Sequence, residues 1–68
     1  MRLSARNQIK GKILEVKIGA TTSHVRVEIP SGQVITSSIT NEAVDELGLK
    51  AGMNATVVIK ASDVMIAV

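Results

Sequence analysis

Small hydrogen-bond donors are concentrated in four short segments of this chain. Two of them carry a cation beside hydroxyl or amide groups: residues 4–7 contain Arg6, and residues 60–62 begin with Lys60. Residues 36–40 are rich in serine and threonine, and residues 19–22 offer two hydroxyls and the backbone N–H groups of a turn. Such donors, together with a helix N-terminus, suit a small oxyanion. Serine and threonine near strand ends also cap helices and form turns, so composition alone leaves both interpretations open.

Residues that perform catalysis are sparse. The chain has no cysteine, which excludes a thiol nucleophile and a thiolate metal site, and its single histidine, His24, cannot build a zinc site alone. His24 alternates with valines on the polar side of a predicted strand, and only Glu28 offers a nearby acid. No serine lies in a nucleophile elbow, and the glycines match no phosphate-binding loop. We therefore expect that the protein is not an enzyme, needs no cofactor and coordinates no metal through its side chains.

Nucleic acid is a poor match as a partner. The net charge is +2, and aromatic residues, which stack on bases in single-strand binders, are absent. The basic residues considered for such a surface are spread along the chain: Lys10, Lys12, Lys17, Arg26, Lys50 and Lys60. We expect the lysines of the first strand to lie on a solvated edge or face.

Alternating apolar and polar residues dominate the chain and predict short strands. A change of period after the third strand predicts a helix that begins at Thr40 or Asn41 and ends before Gly48. Gly11 predicts a bulge or sharp coil within the first strand. The expected fold is mainly β, an OB-like five-stranded barrel with one short helix between strands 3 and 4, in one domain over residues 1–68. The predicted strands cover residues 9–18, 23–29, 33–39, 54–60 and 64–68.

The chain is short for an independent fold. A domain of 68 residues buries only about 60% of its unfolded surface, and this one has no disulfide to staple it. Because 46% of the residues are hydrophobic, we expect self-association to cover apolar strand faces. Apolar runs stay far below the roughly 20 residues that span a bilayer, and the absence of cysteine favours the cytoplasm.

Three motifs occur in order along the chain. They are Ser-Ala-Arg-Asn-Gln from Ser4 followed by Gly11, Leu47-Gly48-Leu49 with Gly52, and the stretch from Val58 through Lys60 to Val64. Together these motifs resemble those of the Mop domains. The resemblance spans nearly the whole chain, and the length matches the free-standing members, the molbindins. It implies an OB-like barrel assembled as a hexamer, a trimer of dimers, that binds molybdate or tungstate between subunits.

The resemblance also implies two classes of oxyanion site. One joins the Ser-Ala-Arg-Asn segment of one subunit to the lysine segment and helix start of a neighbour. At Ala43 some members carry a hydroxyl, so contact there would need the backbone N–H. A second, axial class near a threefold axis is expected in the turn after the first strand. The interface set is Ser4, Ala5, Arg6, Asn7, Thr40, Ala43, Lys60, Ala61 and Ser62, and the axial set is Gly19, Ala20, Thr21, Thr22 and Ser37.

Two functions follow from the resemblance. The first is intracellular binding and storage or buffering of molybdate or tungstate by a homo-oligomer, with no membrane and no nucleic acid as partner. The alternative is a sensory or regulatory oxyanion-binding module that acts on a partner protein, because the same module is fused to regulators and transporter ATPases. The sequence does not separate molybdate from tungstate.

Overall fold

The fold is a curled antiparallel sheet with one helix. The computed structural model describes residues 4–68, so the first three residues of the predicted domain lie outside the described part. The strands lie in the order β3-β2-β1-β4, and the helix follows β3, which confirms the predicted mainly-β class and the helix position. The elements are β1 (Asn7–Ile18), β2 (Thr22–Glu28), β3 (Val34–Thr40), α1 (Asn41–Leu47), β4 (Asn54–Ile59) and a 3₁₀ turn (Ala61–Asp63).

The long strand β1 organises the sheet. Its first half pairs with β4 and its second half with β2, and Lys12 takes part in both ladders. The register shifts between Ile13 and Glu15, so the bulge lies at Leu14 and the prediction of a bulge at Gly11 was wrong. Gly11 has another purpose: a Cβ there would lie 2.5 Å from the Glu28 carbonyl oxygen. Glycine thus lets β1 approach the end of β2 closely.

The core is small and aliphatic. Ile13, Val25, Val27 and Val44 are its buried apolar residues within the described chain. The alternation in β2 is as predicted, with Val25 and Val27 inside and His24 outside. Four buried aliphatic side chains are few for a stable domain, which agrees with the expectation that further apolar surface is covered by association.

Helix α1 begins and ends as the sequence predicts. Thr40 is the N-cap, and its side-chain oxygen accepts from the Ala43 N–H at 3.1 Å. Gly48 closes the helix in the left-handed conformation, with φ 62° and ψ 36°. The Leu49 N–H then donates to the Val44 carbonyl at 3.1 Å, a Schellman-type ending. These caps fix where the chain turns from β3 into the helix.

The predicted fifth strand is not formed. Residues 64–68 follow the 3₁₀ turn and join no ladder, so the described chain has four strands and the sheet is an open half-barrel. A strand forms only where a neighbouring strand completes its hydrogen bonds, and most of this segment is uncovered: Met65 is 92% exposed and Ile66 86%. The sequence pattern indicates the apolar character of the segment but not whether a strand edge is available to pair with it.

Between β3 and β4, the two edges of the sheet, lies an apolar groove of about 480 Å³. Its lining includes Val25, Ile39, Leu47, Leu49 and Val57. The half-barrel thus leaves two apolar features uncovered, this groove and the tail of residues 64–68.

Among the described residues, no helix is long and apolar enough to cross a membrane.

Candidate functional site

One group of predicted site residues meets at the end of the β1–β4 ladder. Asn7 is the register partner of Ile59, so residues 4–6 and residues 60–62 leave the ladder at the same end. The Asn7 amide Nδ2 donates to the Ile59 carbonyl at 3.2 Å and ties the segments together. Arg6 and Lys60 are both exposed here. We call this group the strand-end cluster; it comprises Ser4, Ala5, Arg6, Asn7, Lys60, Ala61 and Ser62.

The other two residues of the predicted interface site lie elsewhere. Thr40 is the register partner of Thr22, at the end of the sheet where β1 finishes, and Ala43 follows in the helix. Strand β1 has 12 residues, so at about 3.3 Å per residue its two ends are on the order of 30 Å apart. One chain therefore does not bring Thr40 and Ala43 to the strand-end cluster, and a site containing both needs a second copy.

The backbone N–H of Ala43 is already used. It donates to the Thr40 hydroxyl oxygen at 3.1 Å, so an anion could take this N–H only by displacing the cap. The Thr40 hydroxyl itself keeps its own hydrogen, because in this bond its oxygen is the acceptor. Of the two positions, Thr40 is the better donor to an anion.

A second group lies around the turn between β1 and β2. The Asn41 amide Nδ2 donates to the carbonyls of Gly19 at 3.0 Å and Ala20 at 3.4 Å, and the Asn41 backbone N–H donates to Thr21 at 3.0 Å. The Ser23 hydroxyl donates to Asn41 Oδ1 at 2.6 Å. We call Gly19, Ala20, Thr21, Thr22, Ser23 and Asn41 the loop cluster.

Sequence reasoning missed the roles of Ser23 and Asn41. Ser23 is fully buried and occupies an inward position of β2 in line with Val25 and Val27. A polar residue at a core position must find a hydrogen-bond partner, and this signal was present in the sequence. It could not identify Asn41 as the partner, because the two residues are 18 positions apart.

A cavity of about 330 Å³ lies beside the turn. Residues 19–22 line it together with Lys17, Ile18 and His24. The sequence indicates that Lys17 and His24 lie on the surface, and the structure places both next to the predicted axial site. Ser37 does not join this group. It is half-buried on the inner face of β3, where it pairs with Val25 and lines the apolar groove.

A larger cavity of about 780 Å³ contains none of the predicted site residues. It is lined by Lys10, Lys12, Glu28, Asn54 and their neighbours on the outer side of the sheet. Within residues 4–68, no three histidine, aspartate or glutamate side chains are grouped so that they could hold a metal ion. What the site regions offer is hydrogen-bond donors and cations.

Comparisons with known proteins agree with this geometry. The family model described as the TOBE domain matches residues 3–66, which defines the class of domain. Molybdenum-pterin-binding protein 1 of Clostridium pasteurianum is 52% identical over 66 residues and is covered to 97%, as is this chain. The chain belongs to the Mop proteins of the TOBE-domain family, as the three sequence motifs predicted.

Two solved structures show the same fold at substantial identity. MopII of Clostridium pasteurianum, in an apo form, is 48% identical with a TM-score of 0.93, and the match covers 98% of this chain and 100% of that one. The molybdate-bound form of ModG, described as a cytoplasmic molybdate-binding protein, is 48% identical with a TM-score of 0.91 over 96% of this chain. The match covers 46% of the ModG chain, so this chain spans about half of it.

Proposed function

We propose that this protein binds molybdate or tungstate between the subunits of a homo-oligomer and stores or buffers the oxyanion inside the cell. The observation that carries the proposal is the strand-end cluster, where two exposed cations, Arg6 and Lys60, lie beside hydroxyl and amide donors. Charge-assisted hydrogen bonds from such donors are about twice as strong as neutral ones. The relatives named for molybdenum or molybdate binding support this ligand class, and the relative described as cytoplasmic supports the location.

The cluster is suited to binding rather than to a reaction. Serine, asparagine, arginine and lysine can donate to an oxyanion, while the cluster contains no histidine or carboxylate that could act as a base on a serine hydroxyl. The sequence has one histidine and no cysteine, and His24 lines the cavity at the turn, at the far end of β1. We therefore propose a binding protein and not an enzyme.

Selectivity over phosphate follows from the donors. Lysine and arginine accept no hydrogen bond, so a hydrogen phosphate would leave its O–H unpaired wherever only these groups face it. Fully deprotonated molybdate and tungstate have no such group. Discrimination against the smaller sulfate would depend on the size of the site that two subunits enclose.

A molybdenum pterin is a different ligand, which the names of the relatives bring into consideration. A pterin is a flat aromatic ring system, and protein sites hold such rings largely by stacking. This chain contains no phenylalanine, tyrosine or tryptophan. The donor set matches the inorganic oxyanion better than the pterin.

The interface site requires a second copy of the chain. Thr40 lies on the order of 30 Å along β1 from the strand-end cluster, so the Thr40 of one subunit would complete the cluster of another. Two open apolar features support such assembly, the groove between β3 and β4 and the exposed tail of residues 64–68. We propose that the tail of one subunit closes the half-barrel of its neighbour and that three such dimers form a hexamer.

The sensory alternative needs a partner protein that responds to the bound anion. In that case the oxyanion would change the affinity of the oligomer for another macromolecule. Storage needs only capacity and reversible release, and both can be supplied by the chain and its copies. The described residues offer the self-association surfaces named above, which favours storage.

Native mass spectrometry with and without sodium molybdate tests the proposal. We expect a hexamer that gains a fixed number of oxyanions, and calorimetry should show that equimolar sulfate does not displace them. Tungstate should replace molybdate at the same sites. A folded monomer, or an oligomer that binds sulfate as well as molybdate, would contradict the proposal. Binding of a molybdenum pterin but not of molybdate would show that the pterin, and not the oxyanion, is the ligand.

A further inference from the structure

Asn41 contacts the turn between β1 and β2 through three hydrogen bonds. Three consecutive carbonyls, those of Gly19, Ala20 and Thr21, accept hydrogen bonds from Asn41, two from its side-chain Nδ2 and one from its backbone N–H. The turn is tight, because the Gly19 N–H donates to the Thr22 carbonyl at 2.9 Å. A Cβ at Gly19 would lie 2.7 Å from that same oxygen.

Ser23 sets the orientation of the Asn41 amide. Its hydroxyl donates to Asn41 Oδ1 at 2.6 Å, and Ser23 is fully buried. An amide has one acceptor oxygen and one donor nitrogen, so fixing Oδ1 toward Ser23 turns Nδ2 toward the turn. The buried hydroxyl thereby decides which group of Asn41 meets the Gly19 and Ala20 carbonyls.

The carbonyl directions determine the N–H directions. All peptide bonds of the described chain are trans, and in a planar trans peptide a carbonyl and the following N–H point in opposite directions. With three carbonyls facing Asn41, the N–H groups of Ala20, Thr21 and Thr22 point away from it. Among the described residues, neither the Ala20 nor the Thr21 N–H donates to a protein acceptor.

Successive N–H groups that point the same way form an anion-binding concavity. The cavity of about 330 Å³ lies at this turn, and two groups able to carry positive charge, Lys17 and His24, line it. Backbone donors, a basic rim and enough space for a tetrahedral anion therefore occur together, at the end of the molecule away from the strand-end cluster.

The family resemblance already implies an axial oxyanion site at this turn; we propose that Asn41, oriented by Ser23, is its positioning residue and directs the backbone N–H groups of residues 20–22. Asn41 itself does not touch the anion. It acts by holding the carbonyls back, so that the N–H groups face the cavity beside Lys17. The inference rests on the proposed function, because it takes the ligand to be the same class of tetrahedral dianion.

The experiment combines nuclear magnetic resonance with a sodium molybdate titration of the whole oligomer. In the parent protein, molybdate should shift the amide signals of Ala20 and Thr21 as well as those of the strand-end cluster. In Asn41→Asp, a carboxylate oxygen replaces Nδ2, repels the two carbonyls and adds negative charge. Affinity at the turn should fall about tenfold or more, while affinity at the strand-end cluster stays within about twofold.

Two further variants separate positioning from folding. Ser23→Ala removes only the group that orients the amide, and it should weaken the turn site less than Asn41→Asp does. Gln33→Glu makes the same amide-to-carboxylate change at an exposed residue just before β3, and the amide signals of both the turn and the strand-end cluster should still shift with molybdate.

The outcomes distinguish the inference from the proposed function. If the parent protein binds molybdate but the amide signals of Ala20 and Thr21 do not shift, the inference is wrong and the proposed function stands. Equal loss of both classes of signal in Asn41→Asp would show a general structural role and also overturn the inference. A parent protein that binds no oxyanion would overturn the proposed function, and the inference with it.

Discussion

The strand-end cluster and the loop cluster differ in what they would offer an anion. The strand-end cluster has two cationic side chains, Arg6 and Lys60, on segments held together by the β1–β4 ladder and the Asn7 bond. The loop cluster has backbone N–H groups whose direction is set by Asn41. The strand-end cluster would bind an anion through charged side chains that can change conformation. The loop cluster would bind it through backbone N–H groups whose direction is fixed.

This difference determines how each region responds to change. A cationic side chain can be removed by one substitution, whereas a backbone N–H can only be redirected. The strand-end cluster should therefore be sensitive to loss of its own residues and of the neighbouring subunit. The loop cluster should be sensitive to residues that touch no anion.

Removal of residues 64–68 should have the largest effect. If the tail closes a neighbour's half-barrel, the truncated chain loses the apolar contact that assembles the oligomer, and the interface sites disappear with it. Analytical ultracentrifugation should show loss of the hexamer, and calorimetry should show loss of binding at the strand-end cluster. Met65→Leu keeps the apolar character and should remain assembled; a truncated chain that is still hexameric would contradict the assembly proposal.

Lys60→Ala should produce the next largest effect. Lys60 is exposed in the single chain, but in the proposed interface the neighbouring subunit would bury its pair with the oxyanion. Removing one member of a buried, hydrogen-bonded charge pair costs about 2–5 kcal/mol, which corresponds to about a 30-fold or greater loss of affinity. The loss should be confined to the strand-end sites, since the loop cluster lies at the other end of β1. A molybdate titration with oligomer size measured in parallel is the test.

Lys50→Ala is the matched control for that titration, because Lys50 is exposed in the connection between α1 and β4. It should bind molybdate as the parent does. Equal affinity for Lys60→Ala and the parent protein, in an intact oligomer, would remove Lys60 from the site.

Thr40→Ala should show two separate effects. Loss of the N-cap bond to Ala43 should lower the free energy of unfolding of the anion-free protein by about 1 kcal/mol. If the Thr40 hydroxyl also donates to an anion in the neighbouring subunit, molybdate affinity at the interface should fall about tenfold. Thr40→Ser keeps both the cap and the donor and should restore both quantities.

Denaturant unfolding without molybdate measures the cap, and a titration measures the donor. If Thr40→Ala lowers stability but leaves affinity unchanged, Thr40 is a helix cap only. That result would restrict the interface site to the strand-end cluster.

The sequence predicted those features that neighbouring residues determine. The alternation in β2 and the helix caps at Thr40 and Gly48 depend on short-range chemistry, and the structure confirms them. The bulge was assigned to Gly11 because glycine is common at bulges, but the shift occurs beside Leu14, where β1 passes from one partner strand to the other. That position depends on the pairing of three strands.

The features that the sequence predicted wrongly or did not reveal depend on contacts between residues far apart in the chain. Residues 64–68 have the composition of a strand, but a strand also needs a partner edge, and none in the described chain pairs with it. The link between Ser23 and Asn41 joins β2 to the helix start, and the sequence shows only that Ser23 occupies an inward position. The donor segments themselves were visible in the sequence; their grouping into two ends of the molecule required the fold.

Lys17→Ala should give the smallest effect and sharpen the contrast most directly. The sequence indicated a solvated lysine whose removal does little, but the structure places Lys17 at the cavity beside residues 19–22. Because Lys17 is exposed, its interaction should be worth about 0.2–1 kcal/mol, a loss of about 1.4- to fivefold in affinity at the turn. Added salt should reduce this difference by screening, while the strand-end sites should not change. Calorimetry at low and at physiological ionic strength checks both expectations, and a loss at the strand-end sites instead would mean that the two clusters do not bind independently.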